Sequence, residues 1–289
     1  MEKPEVKRVQ LANGETLGYR VCGQGERTIV LIHGNLVSSK YWERLMPAFP
    51  SQYTVYALDM RGVGESSYNR PINSVWDFAD DVRQFIEGMN LKRFILVGWS
   101  MGGGVSQLFT AQYPALVEKL VLLDSVSVKG FPYPDPDNGK YLKTREEVLT
   151  KGAGDLAALL VQGSAEGFRA VWDMAVFNVI QPDEDWYKEL IDDILTCRFF
   201  PDSAWAMHNF NLSNENNGVL NGNGLVDRIT MPVLVIRGDN DMIVTQEMVD
   251  ETVGALGPTA QLQVMADCGH AVFIDKPKEF MSRFEAFVE

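Results

Sequence analysis

The stretch from Phe94 to Gly104, FILVGWSMGGG, limits the fold more than any other part of the chain. An apolar run ends in Gly98-Trp99-Ser100-Met101-Gly102 and passes straight into a helix-forming segment. That order predicts a strand, a sharp turn and a helix, with Ser100 at the apex. Glycines at 98 and 102 are expected where the chain meets itself on both sides of the turn and a Cβ would clash. Such a turn strains the serine backbone and lifts its hydroxyl above the sheet edge. The five-residue pattern is weak alone, because an ordinary turn serine gives the same letters. The surrounding chain has to separate the two readings.

Residues 5–11 and 16–22 read as two strands of a hairpin joined at Asn13-Gly14. The β-branched run Thr28–Ile32 reads as a strand buried on both faces. It ends at His33-Gly34-Asn35, and a helix over 40–48 is expected to follow. Tyr53–Leu58 is the next strand, ending at Asp59. From Ser74 to Met89 the residues Phe78, Val82, Phe85, Ile86 and Met89 recur at helical spacing, with Ser74 and Asp77 suited to the cap. After Ser100 come a helix over 101–112, stopped before Pro114, and a strand over 119–123 ending at Asp124. Strand–helix alternation of this kind implies a doubly wound, mostly parallel α/β sheet, eight-stranded when the later strands are counted. Such sheets bind ligands at the carboxyl ends of their strands. His33, Asp59, Ser100 and Asp124 should therefore share one rim.

Beyond Asp124 the rhythm breaks. A proline-rich loop over 130–136 leads into several helices between about 144 and 212, and an Asn/Gly-rich connector runs from 211 to 224. The simplest account is a helical cap over 126–225, inserted after the sixth strand, with a core of 1–125 and 226–289. Most of the cap's many aromatics are expected to pack within it, and a few to face Ser100. The sheet resumes at Pro232–Ile236 and ends in Arg237-Gly238-Asp239-Asn240-Asp241. A helix over 245–256, a strand over 261–265, the turn Asp267-Cys268-Gly269-His270 and a helix over 277–288 close the chain.

Composition excludes several functions. The net charge of −13 repels nucleic acid. Three scattered cysteines, Cys22, Cys197 and Cys268, form no disulfide framework and no zinc pattern. Gly102-Gly103-Gly104 has the wrong spacing for a dinucleotide loop, so no cofactor or metal is expected. No apolar run resembles a signal peptide or a membrane span, which points to a cytoplasmic protein.

A neutral serine hydroxyl is a poor nucleophile. It needs an imidazole to take its proton and a carboxylate to fix the imidazole tautomer. Of the three histidines, His270 lies in a turn after a strand, His33 beside the glycine of an oxyanion loop, and His208 in the cap. His270 is the candidate base. Asp241 suits the order Ser, acid, His, while Asp124 and Asp239 compete for the role. The charge developing on a carbonyl oxygen needs backbone donors, and the expected pair is Met101 N–H and Asn35 N–H.

Together His33-Gly34-Asn35, Asp59-Met60-Arg61-Gly62-Val63-Gly64-Glu65-Ser66, Gly98-Trp99-Ser100-Met101-Gly102, Gly238-Asp239-Asn240-Asp241 and Gly269-His270 resemble the α/β-hydrolase superfamily. The resemblance implies Ser100, Asp241 and His270 as nucleophile, acid and base, Asn35 and Met101 as oxyanion donors, and a structural turn at 59–66. Serine at the nucleophile position argues against dehalogenase or epoxide-hydrolase chemistry. The residues around Ser100 also resemble intracellular short-chain polyhydroxyalkanoate depolymerases of bacilli. The implied activity is hydrolysis of a small-molecule or polyester substrate built of short aliphatic esters, including 3-hydroxybutyrate oligomers or polymer. A lactonase is the alternative, and a non-catalytic ligand sensor the alternative of another class.

Overall fold

The structure, a computed structural model, describes residues 3–289. β1 (Glu5–Gln10) and β2 (Thr16–Cys22) form the hairpin expected at Asn13-Gly14, and β3 (Arg27–Ile32) and β4 (Tyr53–Leu58) follow. Next come α1 (Val75–Gly88), β5 (Phe94–Trp99), α2 (Met101–Gln112) and β6 (Val117–Leu123). Asp77 on the first turn of α1 accepts from Ser74 N at 3.0 Å, so that end is capped.

The helix expected over 40–48 does not form. Two 3₁₀ turns, Ser39–Trp42 and Met46–Ala48, take its place. Pro47 cannot donate to Glu43, and its ring would clash there. Ser38 and Ser39 are also committed to carboxylates elsewhere: Ser38 N donates to Asp193 at 2.8 Å and Ser39 N to Asp59 at 2.9 Å.

Between β6 and the next strand the chain builds α3 (Arg145–Glu147), a π-helical turn over Val148–Gly152, α4 (Gly154–Gln162), α5 (Ala165–Ala175), α6 (Glu184–Ile194) and α7 (Phe200–His208). None of these residues joins the sheet. The Asn-rich connector is tied down by its own amides: Asn211 Nδ2 donates to Glu215 O at 2.8 Å, and Asn217 Nδ2 to Lys129 O at 2.7 Å. The chain ends with β7 (Val233–Gly238), α8 (Gln246–Leu256), β8 (Ala260–Met265), α9 (Val272–Asp275) and α10 (Pro277–Val288).

The eight strands lie in the order β1-β2-β4-β3-β5-β6-β7-β8, antiparallel as far as the β2–β4 pair and parallel beyond it. Every residue of β5 and β7 is buried, as in a sheet covered on both faces, whereas β1 is an exposed edge. Parallel strands bring the ends of β3, β5, β6, β7 and β8 to one rim. No helix among the described residues is long and apolar enough to cross a membrane.

Candidate active site

Ser100 joins β5 to α2 at φ 54° and ψ −121°. A non-glycine residue held there costs about 1–3 kcal/mol and persists only when its surroundings over-determine it. They do so here. Ser100 N donates to Leu123 O at 3.0 Å, and its own carbonyl accepts from Gly103 N at 2.9 Å and Val126 N at 3.2 Å. A Cβ on Gly98 would lie 2.4 Å from Gly102 O, and one on Gly102 would lie 2.4 Å from His33 O. The two glycines are therefore what lets the turn close.

His270 follows β8, and its Nδ1 lies 2.9 Å from Asp241 Oδ2. Asp241 Oδ1 accepts from Ile243 N at 2.8 Å and Val244 N at 3.0 Å. A carboxylate facing Nδ1 places the ring proton there, so Nε2 is left as the acceptor. Burial works to raise Asp241, but the imidazole and these two N–H groups outweigh it and hold the carboxyl below its ordinary value. Trp99 Nε1 donates to His270 O at 2.7 Å, tying the histidine loop to the residue before Ser100. Ser100 and His270 line one cavity. Among the described residues Ser100 Oγ forms no hydrogen bond, the imidazole included. Such bonds are commonly long without substrate and tighten in its complex.

Neither of the two competing carboxylates bonds to His270. Asp239 is exposed and accepts from Cys268 N at 3.2 Å, closing its turn. Asp124 is fully buried, accepts from Gly238 N at 2.8 Å, and makes no hydrogen bond with His270.

Met101 N–H is the first of α2 and so has no partner within the helix. Asn35 N–H likewise bonds to no group among the described residues. Both residues line the cavity with Ser100. His33 supports this loop, a role the sequence reading did not give it. Met60 N donates to its Nε2 at 2.9 Å, so its Nδ1–H donates to Gly34 O at 2.7 Å. Burial holds the His33 ring down at about 4, which keeps it neutral. Ser203 on α7 also escaped the sequence reading. Its hydroxyl donates to Asn35 Oδ1 at 2.8 Å, and Leu36 N donates to the same oxygen at 3.0 Å. The Asn35 side chain is thus anchored through its oxygen.

The remaining candidates are structural. His208 accepts from Tyr133 N at 3.0 Å, and its Nε2 meets Leu142 O at 2.9 Å. Arg61 is buried in a two-pronged pair with Asp81. The Asp59 carboxylate closes the 59–66 turn on Glu65 N at 2.9 Å. Burial pushes the Cys197 and Cys268 thiols up to about 12, so neither is reactive at neutral pH.

The cavity has a volume of about 280 Å³. Its floor is the strand rim, and its walls include Leu156, Val171, Trp172, Phe200 and Met207 from the segment between β6 and β7. Among the described residues no Asp, Glu, Lys or Arg lines it. Among the described residues no cluster of three or more His, Cys, Asp or Glu side chains is placed to hold a metal ion.

A strained serine between strand and helix, backbone N–H groups beside it, and an Asp–His pair on the next loops of a parallel sheet define a class of fold. The chain belongs to the alpha/beta hydrolase fold family, whose family model matches residues 27–277. An uncharacterised protein of Mycobacterium tuberculosis (strain ATCC 25618 / H37Rv) is 26% identical over 298 residues, spanning 99% of this chain and 82% of the relative. The monoacylglycerol lipase abhd6-B of Xenopus laevis is 25% identical over 256 residues, spanning 87% of this chain and 72% of that protein. The crystal structure of a hydrolase from Pseudomonas aeruginosa PA01 superposes with a TM-score of 0.78 at 20% identity, covering 98% of each chain.

Proposed function

We propose that the protein is a serine carboxylic-ester hydrolase, with residues 126–225 serving as a cap over a core of 1–125 and 226–289. The observation that carries this reading is the buried His270–Asp241 pair, which opens with Ser100 into an apolar cavity free of charged side chains. In the proposed reaction His270 Nε2 takes the Ser100 proton as Oγ attacks the ester carbonyl. Asn35 N–H and Met101 N–H hold the oxyanion. The imidazolium, steadied by Asp241, returns its proton to the leaving alcohol, and the acyl group remains on Ser100. Water, activated by the same ring, then releases the acid. An imidazolium cannot act as a base, so activity falls on the acid side of the profile.

The cavity favours small neutral acyl groups. Its volume of about 280 Å³ lies at the small end of ligand pockets, which run from about 300 to 1,000 Å³, and it offers no cation to a substrate carboxylate. Short aliphatic esters fit this description, 3-hydroxybutyrate oligomers among them. The lipase activity named for the Xenopus relative is ester hydrolysis and agrees with the class. A panel of nitrophenyl esters of rising chain length, amorphous polyhydroxybutyrate and acyl-homoserine lactones tests the reading. Short esters should be preferred, and long-chain preference would count against it. A lactone preference would select the lactonase alternative. Ser100→Ala should lower kcat at least about 10³-fold while the protein stays folded. A fluorophosphonate probe that fails to label Ser100 would favour a non-catalytic ligand sensor.

A further inference from the structure

Asp124 is a buried carboxyl beside this site that the proposed reaction leaves unused. It ends β6, is fully buried, and carries a left-handed backbone at φ 41°. Its Oδ1 accepts from Gly238 N at 2.8 Å, and Gly238 O in turn accepts from Asp241 N at 3.1 Å. Asp124 therefore pins the end of β7 that delivers Asp241. Its other oxygen, Oδ2, is sealed from solvent and bonded to nothing. Val272 N–H also faces the group without completing a bond to Oδ2.

The neighbouring carboxylate is Asp241, which Gly238 joins to Asp124 through its N–H on one side and its carbonyl on the other. Two carboxylate oxygens can only accept, so a close buried pair makes no bond unless a proton lies between them. An ionised carboxylate has about four lone-pair sites. On Asp241 two are filled on Oδ1 by Ile243 N and Val244 N, and one on Oδ2 by His270 Nδ1. One acceptor site remains, on Oδ2.

We propose that Asp124 is a neutral carboxylic acid whose Oδ2–H donates to Asp241 and holds that carboxylate toward His270. It is a positioning residue and never meets substrate. One proton serves both groups: it satisfies the orphan oxygen of Asp124 and spares the pair a second buried charge. Burial, and then the charge of Asp241, raise Asp124 well above the ordinary carboxyl range, which agrees with this assignment. Donation into Asp241 also makes that carboxylate less basic, so the imidazole proton stays on Nδ1.

The kinetic part of this inference rests on the ester-hydrolase reading, whereas the spectroscopic part does not. Asparagine mimics protonated Asp124, since its oxygen accepts from Gly238 N and its amide donates to Asp241. Asp124→Asn should keep kcat within about threefold of wild type, whereas Asp124→Ala should lose about 10–100-fold in kcat with KM nearly unchanged. Infrared spectra of the intact protein at about pH 8 should show the C=O band of a protonated carboxylic acid that Asp124→Asn removes. Asp81, Asp193 and Asp275 are also raised by burial, so the band assigned to Asp124 is the part that Asp124→Asn removes. No such band, or equal impairment of the Asn and Ala variants, would overturn the assignment. If Asp124→Ala does not fold, the band and Asp124→Asn still decide. If wild type hydrolyses no ester, the band alone decides while the functional reading fails separately.

Discussion

At the scale of single residues, the turn at Ser100 carries the most information per atom. Its glycines are required by backbone atoms, which cannot move aside as side chains can. Gly102→Ala would push a methyl group to within 2.4 Å of His33 O and 2.5 Å of Ile32 O. We expect it to destabilise the fold by about 1–3 kcal/mol and to cost activity even where it folds, because β3 and the loop after it, proposed to hold the oxyanion, must shift. Thermal melting and ester turnover on the same sample check this. Asp241→Asn should keep the fold but reverse the tautomer preference of His270, lowering kcat by about 10³–10⁴-fold. If Asp124 were the working acid, that variant would be nearly silent. Ser100, His270 and Asp241 were legible as candidates because each stands just past a strand-forming run. The anchoring of Asn35 by Ser203 was not legible, since 168 positions separate them and nothing in either neighbourhood hints at the other.

At the scale of elements, α6 is held to the core by a buried carboxylate. Asp193 accepts from Ser38 N at 2.8 Å and Ser38 Oγ at 2.6 Å, with Asp59 and Arg20 nearby. Burial, reinforced by the charge of Asp59, raises it from 3.8 to about 6 against the Ser38 hydrogen bonds. The folded protein therefore binds this proton more tightly than the unfolded chain does. That stabilisation is complete below 3.8 and is lost as the pH climbs through about 6, a change of about 3 kcal/mol at most. Asp193→Asn should match wild type near about pH 4 and melt a few degrees higher near neutrality. Equal melting curves at both pH values would show that the ionised form is fully compensated. The element missed in the sequence, the helix expected over 40–48, fails in the same neighbourhood. Its apolar spacing was adequate, but Ser38 and Ser39 are drawn to Asp193 and Asp59, and Pro47 blocks the continuing helix.

At the scale of the molecule, the cavity exists only because two layers meet. The strand rim contributes reactive groups, and the segment between β6 and β7 contributes the apolar wall. Trp172 is buried there and lines the cavity. Trp172→Ala should enlarge the space and move preference toward longer acyl chains, at a stability cost of about 3–5 kcal/mol. Relative kcat/KM across the nitrophenyl series measures it, and an unchanged order would place the acyl group elsewhere.

The sequence by itself determined the eight-stranded sheet, the helices that alternate with it apart from the one expected over 40–48, and the loops on which the candidate groups ride. Hydrophobic period, capping residues and glycine placement are local properties, and they act within a few positions of where they are written. Only the tertiary structure decided which of three aspartates meets His270, which aromatics face Ser100 and which serines anchor the insertion. Those outcomes depend on atoms brought within about 3 Å by chain segments far apart in the sequence, and no local pattern specifies that approach.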